Sequence, residues 1–236
     1  MTTTLQPEDF DTQTRVPVTE YARTVTGVNV GYDLLFTLTY CFLRALRQPD
    51  LDLLVVGAGG GMEIERFLPG NPGWRLTGVD PSQDMLALAQ ARAESLGVQE
   101  RVELARGTID DLPAERRFDA ATCLFVLHFL PDDGKLTLLR GIAGRLRPEA
   151  PLLVASGACV DDRRLRDDLL GAWQQHGELM GLPAERMAAI IARLMTQQPD
   201  MATEEDCAHL LHTAGYQRVA PFFSVMNGAM VAWIAR

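Results

Sequence analysis

The chain has 236 residues, 47% of them hydrophobic, and carries 31 acidic against 22 basic side chains, a net charge of −9. That length and apolar content allow a sizeable core within one principal domain, and no apolar run reaches the roughly 18 residues that a membrane helix needs. The charge balance argues against an extended nucleic-acid surface, because phosphate binding depends on Lys and Arg.

Residues 1–15, MTTTLQPEDFDTQTR, read as a polar mobile tail without the pattern of a secretory signal, so a cytoplasmic location is expected. Residues 16–48 form an aromatic-rich helical stretch with Tyr21, Tyr32, Phe36, Tyr40 and Phe42. Tyr21 and Tyr32, beside Gly27 and Gly31, are candidates for a lid over a site. Phe36, Tyr40 and Phe42 are expected to pack against a sheet. The remainder, 49–236, reads as one α/β domain with a helical insertion at 161–198.

Leu53 to Phe67, LLVVGAGGGMEIERF, passes from an apolar strand through glycines directly into a helical pattern. This is the strand, tight turn and helix N-terminus with which doubly wound α/β domains receive nucleotide-like ligands. Gly57, Gly59 and Gly61 give G-x-G-x-G. The dinucleotide fingerprint G-x-G-x-x-G would need a glycine at Met62, so the spacing favours a nucleoside without a pyrophosphate. The plainer reading is a turn that needs glycine only for packing.

Trp74 to Val79 reads as the next strand, and Asp80 stands at its end, about 20 residues beyond the glycines, where an acid can accept hydrogen bonds from ribose hydroxyls. Alternatively, Asp80 with Pro81 and Ser82 caps the helix DMLALAQARAESLG. Further strands are expected at about 101 to 105, 118 to 127 and 150 to 156, alternating with helices, as parallel strands joined by right-handed crossovers require. His128 follows the fourth strand and is a candidate base or acceptor contact, or else a structural histidine at a strand end.

The insertion 161–198 has helical periodicity in Leu165, Leu169, Leu170, Trp173, Met180, Met187, Ile190, Ile191 and Leu194, with a break near Gly181 to Pro183. Lying over the strand C-termini, it would serve as a substrate cap or a dimer surface. His176 on it is a weaker catalytic candidate. In the tail, Gln217 to Val225 and Ala229 to Ala235 flank Met226-Asn227-Gly228, a strong hairpin signal. The whole is read as a doubly wound, mostly parallel seven-stranded sheet with a C-terminal antiparallel hairpin and a helical cap.

Cys41, Cys123, Cys159 and Cys207 are scattered, and the i, i+3 pair His209 and His212 lacks a third nearby ligand, so neither a disulfide framework nor a metal site is expected. Arg163, Arg164 and Arg166 are interleaved with Asp161, Asp162, Asp167 and Asp168, which reads as a solvated helical face.

VVGAGGG, GVDPS, GTIDDLP, FDAATCLFVLHFL and the closing segment AGYQRVAPFFSVMNGAMVAWIAR together resemble the class I S-adenosylmethionine-dependent methyltransferases, from about Tyr21 to the C-terminus. GYDLL before the glycine turn, LHFL at the fourth strand, and AHLLHTAGY followed by FF look most like the branch containing carboxy-S-adenosyl-L-methionine synthase and its methyltransferase relatives. The resemblance implies S-adenosyl-L-methionine as cofactor. It places Gly57, Ala58 and Gly59 along the amino-acid part, Asp80 on the ribose with Pro81 beside it, and Thr108 and Ile109 at the adenine. It also implies cofactor contacts for Leu124 and Tyr32.

Three positions depart from the family pattern. Val55 stands where many members have an acid, and Thr108 replaces the usual acid of the adenine turn, which leaves Asp110 as candidate for the exocyclic amine. PAERMAAIIARLM has no clear counterpart of the arginine by which the carboxy-S-adenosylmethionine enzyme holds its extra carboxylate. The expected activity is methyl transfer to a small-molecule acceptor, with His128 and Tyr21 as catalytic candidates, no membrane or nucleic-acid partner, and a homodimer compatible with the apolar insertion. The alternatives are a carboxy-S-adenosylmethionine synthase-like enzyme and a non-catalytic cofactor-binding protein.

Overall fold

The computed structural model describes residues 24, 26–157, 162–197, 203–226 and 230–236. In chain order its elements are α1 (Tyr32–Ala45), β1 (Asp50–Val56), α2 (Met62–Phe67), β2 (Gly73–Asp80), α3 (Gln83–Ser95), β3 (Val102–Arg106) and β4 (Ala120–Leu124). They continue as α4 (Asp132–Ala143), β5 (Leu152–Gly157), α5 (Arg163–Leu179), α6 (Ala184–Gln197), α7 (Glu204–Thr213), β6 (Val219–Val225) and β7 (Met230–Ala235). None of the described helices is long and apolar enough to cross a membrane.

The strands form one seven-stranded sheet in the order β3-β2-β1-β4-β5-β7-β6. The first five are parallel, while β7 runs antiparallel beside β5 and β6 closes the edge antiparallel to β7. The doubly wound architecture and its terminal hairpin are as the alternation of elements predicts. Of the hairpin turn, Met226 has a left-handed φ of 49°. Asn227 and Gly228 lie outside the described residues.

Period-two alternation along β1 divides the core. Leu53 and Val55 face a layer with Leu35, Phe36 and Leu43 of α1, Ile64 and Phe67 of α2, and Ala89 of α3. Leu54 and Val56 face the opposite layer, with Leu139 and Ile142 of α4, Leu211 of α7, and Trp233. Successive residues point to opposite faces of a strand, so a strand covered on both sides must be apolar throughout. The four residues Leu53 to Val56 are all at most 5% exposed.

The fourth strand is shorter than 118 to 127. It ends at Leu124 because Phe125 turns into the left-handed region at φ 63°, after which a 3₁₀ turn spans Leu127–Phe129. Phe36 and Tyr40 pack on Phe67 at 6.1 and 5.9 Å between ring centroids, and Phe42 packs edge-on against Phe222 at 4.9 Å. These three rings therefore belong to the packing of α1 on the sheet.

Candidate functional site

The C-terminal ends of β1, β2 and β4 meet around the glycine turn. Gly57 has φ 75°, and a Cβ there would come within 2.3 Å of Val126 Cγ2. Only glycine suits that combination of torsion and closeness. The N–H groups of Gly57 and Ala58 both donate to the Val79 carbonyl, at 2.9 and 3.0 Å, which folds the turn back onto β2.

Asp80, 8% exposed, ends β2 opposite this turn. Its Oδ2 accepts the Gly59 N–H at 2.8 Å and its Oδ1 accepts the Ser82 N–H at 2.9 Å. The helix cap of α3 is Ser82, whose Oγ accepts the Met85 N–H at 3.2 Å. The aspartate thus clamps the glycine turn, and its carboxylate stands at the strand end as a hydrogen-bond acceptor. Pro81 beside it is half-buried, and its carbonyl accepts Arg106 Nε at 3.3 Å.

Beyond β3, Thr108 opens a 3₁₀ turn over Ile109–Asp111. Asp111 accepts the Thr108 N–H at 2.7 Å, and the Thr108 hydroxyl accepts the Asp110 N–H at 3.3 Å. This reciprocal cap commits Asp111 to the turn. Asp110 is exposed, whereas Ile109 is 3% exposed and packs in the core layer under α4, close to Gly141.

At the other side of the turn, Leu124 is buried at the end of β4, and Val126 covers Gly57. Tyr32, the first residue of α1, stacks on Phe125 with centroids 5.6 Å apart and planes at 20°. Tyr32 and Leu124 belong to the same apolar layer. His128 lies on the following turn against the ring of Phe129 (4.3 Å), which is 56% exposed. The His128 Nδ1 is shut off from solvent. Burial, reinforced by Lys135, pushes its pKa down to about 4, so the imidazole is neutral at pH 7.

Helices α5 and α6 pack on each other across the break at Gly181 to Pro183. The segment before α1 docks onto them: Trp173 Nε1 donates to the Val28 carbonyl at 2.5 Å, and Arg186 donates to the Thr24 hydroxyl at 3.2 Å. Gly27 permits this approach, since a Cβ there would sit 2.9 Å from Leu182 Cδ1. His176 is half-buried on α5. Tyr21 lies outside the described residues.

Two features at the site were not found in the sequence. The left-handed Phe125 carries no composition signal, because such a torsion is rare for a bulky residue. Glu63 in the first turn of α2 resembles an ordinary helix-start acid, yet it is 5% exposed, and burial raises its pKa to about 8.

These residues fit an adenosyl sulfonium ligand. The turn built on Gly57 presents main chain at the strand ends, Asp80 stands across it with a carboxylate of the kind that suits ribose hydroxyls, and the Tyr32–Phe125 ring pair lies on the β4 side.

A protein-family profile described as "Methyltransferase domain" matches residues 54–152. The chain is 31% identical over 110 residues to a ubiquinone biosynthesis O-methyltransferase of Xanthomonas campestris, covering 46% of this chain and 44% of that protein. It is 30% identical over 169 residues to a carboxy-S-adenosyl-L-methionine synthase of Wolinella succinogenes, covering 71% of this chain and 68% of that protein. The chain thus spans less than half the length of the Xanthomonas relative and two thirds of the Wolinella one. Among solved structures, an assigned O-methyltransferase of Nostoc punctiforme superposes with a TM-score of 0.61 at 18% identity, covering 84% of this chain and 55% of that one. The mitomycin 7-O-methyltransferase superposes at 0.55 and 22% identity, covering 79% of this chain and 49% of that one, a likeness of fold. With the Wolinella enzyme matched over most of both lengths and the glycine turn, Asp80 and sheet order as described, the chain belongs to the class I S-adenosylmethionine-dependent methyltransferases.

Proposed function

We propose that this chain methylates a hydroxyl group of a small, largely apolar acceptor. The observation that carries this reading is the continuity of the glycine turn with the β4 exit: Val126 touches the turn, and Phe125, His128 and the exposed Phe129 extend an aromatic wall from it. The O-methyltransferases among the relatives support an oxygen acceptor.

S-Adenosylmethionine, when bound, supplies a methyl group activated on a sulfonium. The chain's own work is then alignment and exclusion of water. Asp80 fixes the ribose, Gly57, Ala58 and Gly59 admit the amino-acid part to the main chain, and Thr108, Ile109 and Asp110 border the adenine. Pro81 and Leu124 cover its sides, and Tyr32 closes the sulfonium end.

His128 is neutral and accepts the hydrogen bond of the incoming hydroxyl. With its pKa near 4 it is a weak base, so its main effect is to orient the oxygen lone pair, and it takes the proton only as the new C–O bond forms. Helices α5 and α6 cap the mouth or join two copies; sedimentation showing only monomer at micromolar concentration would remove the second role.

The test is a panel of phenols and aliphatic alcohols with labelled S-adenosylmethionine. Transfer to a phenolic oxygen is the expected result. Transfer only to nitrogen or carbon acceptors would refute the oxygen assignment. A second reading, a carboxy-S-adenosylmethionine synthase-like activity, is favoured by the long match to the Wolinella protein. A bound nucleoside heavier by one carboxyl group would establish it.

A further inference from the structure

Val55 leaves the end of β1 without the acid that many family members have there, and its side chain is 1% exposed within the apolar layer under α1 and α2. A carboxyl is nevertheless present a few residues later. Glu63 lies in the first turn of α2, immediately after Gly61, and is 5% exposed.

The charged and titratable groups around it come from three further elements. Asp80 of β2, Cys123 of β4 and Arg92 of α3 are within electrostatic reach of it. Arg92 is already engaged with Glu65 at 3.3 Å and with Met62 Sδ at 2.8 Å, on the outer side of α2. Asp80, in turn, holds the Gly59 N–H. Glu63 is therefore a buried acid two residues past the glycine turn, within electrostatic reach of a second carboxylate and of a guanidinium already shared with Glu65. An acid so placed holds its proton until a cation arrives.

We propose that Glu63 takes over the role vacated at Val55: its carboxyl is the counter-charge of the cofactor's α-ammonium group, losing its proton to solvent as that group seats on the glycine turn. The inference rests on the cofactor assignment made above. It assigns a cation-coupled ionisation to a residue that merely looks like a helix-start acid. Cofactor binding then becomes stronger as pH rises through the neutral range, and both S-adenosylmethionine and its demethylated product share the effect, since both carry the ammonium.

The test is titration calorimetry of the whole chain at pH 7 in buffers of different ionisation enthalpy. The ligands are S-adenosylmethionine, S-adenosylhomocysteine and 5′-methylthioadenosine, the last of which keeps the nucleoside but lacks the amino acid. Close to one proton released per site is expected with the first two ligands and none with the third, with affinity for the first rising about tenfold per pH unit between pH 6 and 7.5. Glu63→Gln should abolish the release. The three-ligand comparison on the wild-type protein stands even if that variant fails to fold.

Tight binding of S-adenosylmethionine without proton release, or release that persists in Glu63→Gln, would overturn this inference and leave the cofactor assignment standing. Failure of all three ligands to bind would overturn both.

Discussion

Replacing Gly57 with Ala tests the geometry on which the site depends. The new methyl group meets two obstacles that can be separated. At φ 75° an L-residue carries a left-handed strain of about 1–2 kcal/mol. Its Cβ also comes within 2.3 Å of Val126 Cγ2, and overpacking of this kind costs about 1–3 kcal/mol. The combined loss, about 2–5 kcal/mol, is a large share of the roughly 5–15 kcal/mol that holds a domain folded. In a chain of this size each kcal/mol lowers Tm by about 2–4 °C.

The second obstacle has a specific remedy. Adding Val126→Ala removes Cγ2 and leaves only Val126 Cβ, at 3.7 Å from the new methyl group. Calorimetric melts should therefore show Gly57→Ala well below wild type and the double variant recovering the overpacking part but not the torsional part. Binding of S-adenosylmethionine should weaken in Gly57→Ala, since relief of the clash with Val126 shifts the turn whose N–H groups anchor it on β2. A Gly57→Ala protein with wild-type Tm and affinity would refute the close approach of β4 to the turn.

Asp80→Asn removes the negative charge that clamps Gly59 and would hold the ribose; charge-assisted hydrogen bonds of about 1.5–3 kcal/mol predict a loss of cofactor affinity of roughly tenfold or more, read by calorimetry, and unchanged affinity would exclude the residue from the site. His128→Gln should lower turnover while sparing cofactor affinity, and equal turnover would remove His128 from the mechanism. Because burial depresses the His128 pKa from 6.5 to about 4, its contribution to stability is present above pH 6.5 and lost as pH falls toward 4, so the acid limb of the Tm–pH profile should flatten in the same variant. Glu63 has the opposite sign: raised from 4.5 to about 8, it costs nothing below pH 4.5 and removes about 1.4 kcal/mol per pH unit up to pH 8. Melts of wild type and Glu63→Gln at pH 5, 7 and 9 should accordingly diverge as pH rises, and parallel curves would show that the carboxyl is not buried.

The sheet was readable because its physics is local. Leu53 to Val56 had to be a strand covered on both faces, the glycines had to be a turn, and the alternation of apolar runs with helices had to give parallel strands with crossovers. Asp80 was legible for the same reason, by standing at a strand end at a set spacing from the turn. What escaped depends on contacts distant in sequence. The left-handed Phe125 stacks on the ring of Tyr32, more than 90 positions earlier, and the reading of 118 to 127 as one continuous strand overran it. Glu63 goes unmarked in the sequence because nothing nearby in the chain reveals its burial or its electrostatic coupling to Asp80 and Cys123. In GTIDDLP the two aspartates are equivalent on paper, and only the folded turn shows that Asp111 is the one committed to the cap.

The central claim is that the ends of β1, β2 and β4 form an S-adenosylmethionine site. Native mass spectrometry of the freshly purified chain, followed by denaturation and identification of any released small molecule, tests it most directly. The account predicts S-adenosylmethionine or S-adenosylhomocysteine at one per chain, or a shift to that mass on addition of the cofactor. An empty chain that also fails to take up added S-adenosylmethionine would contradict it.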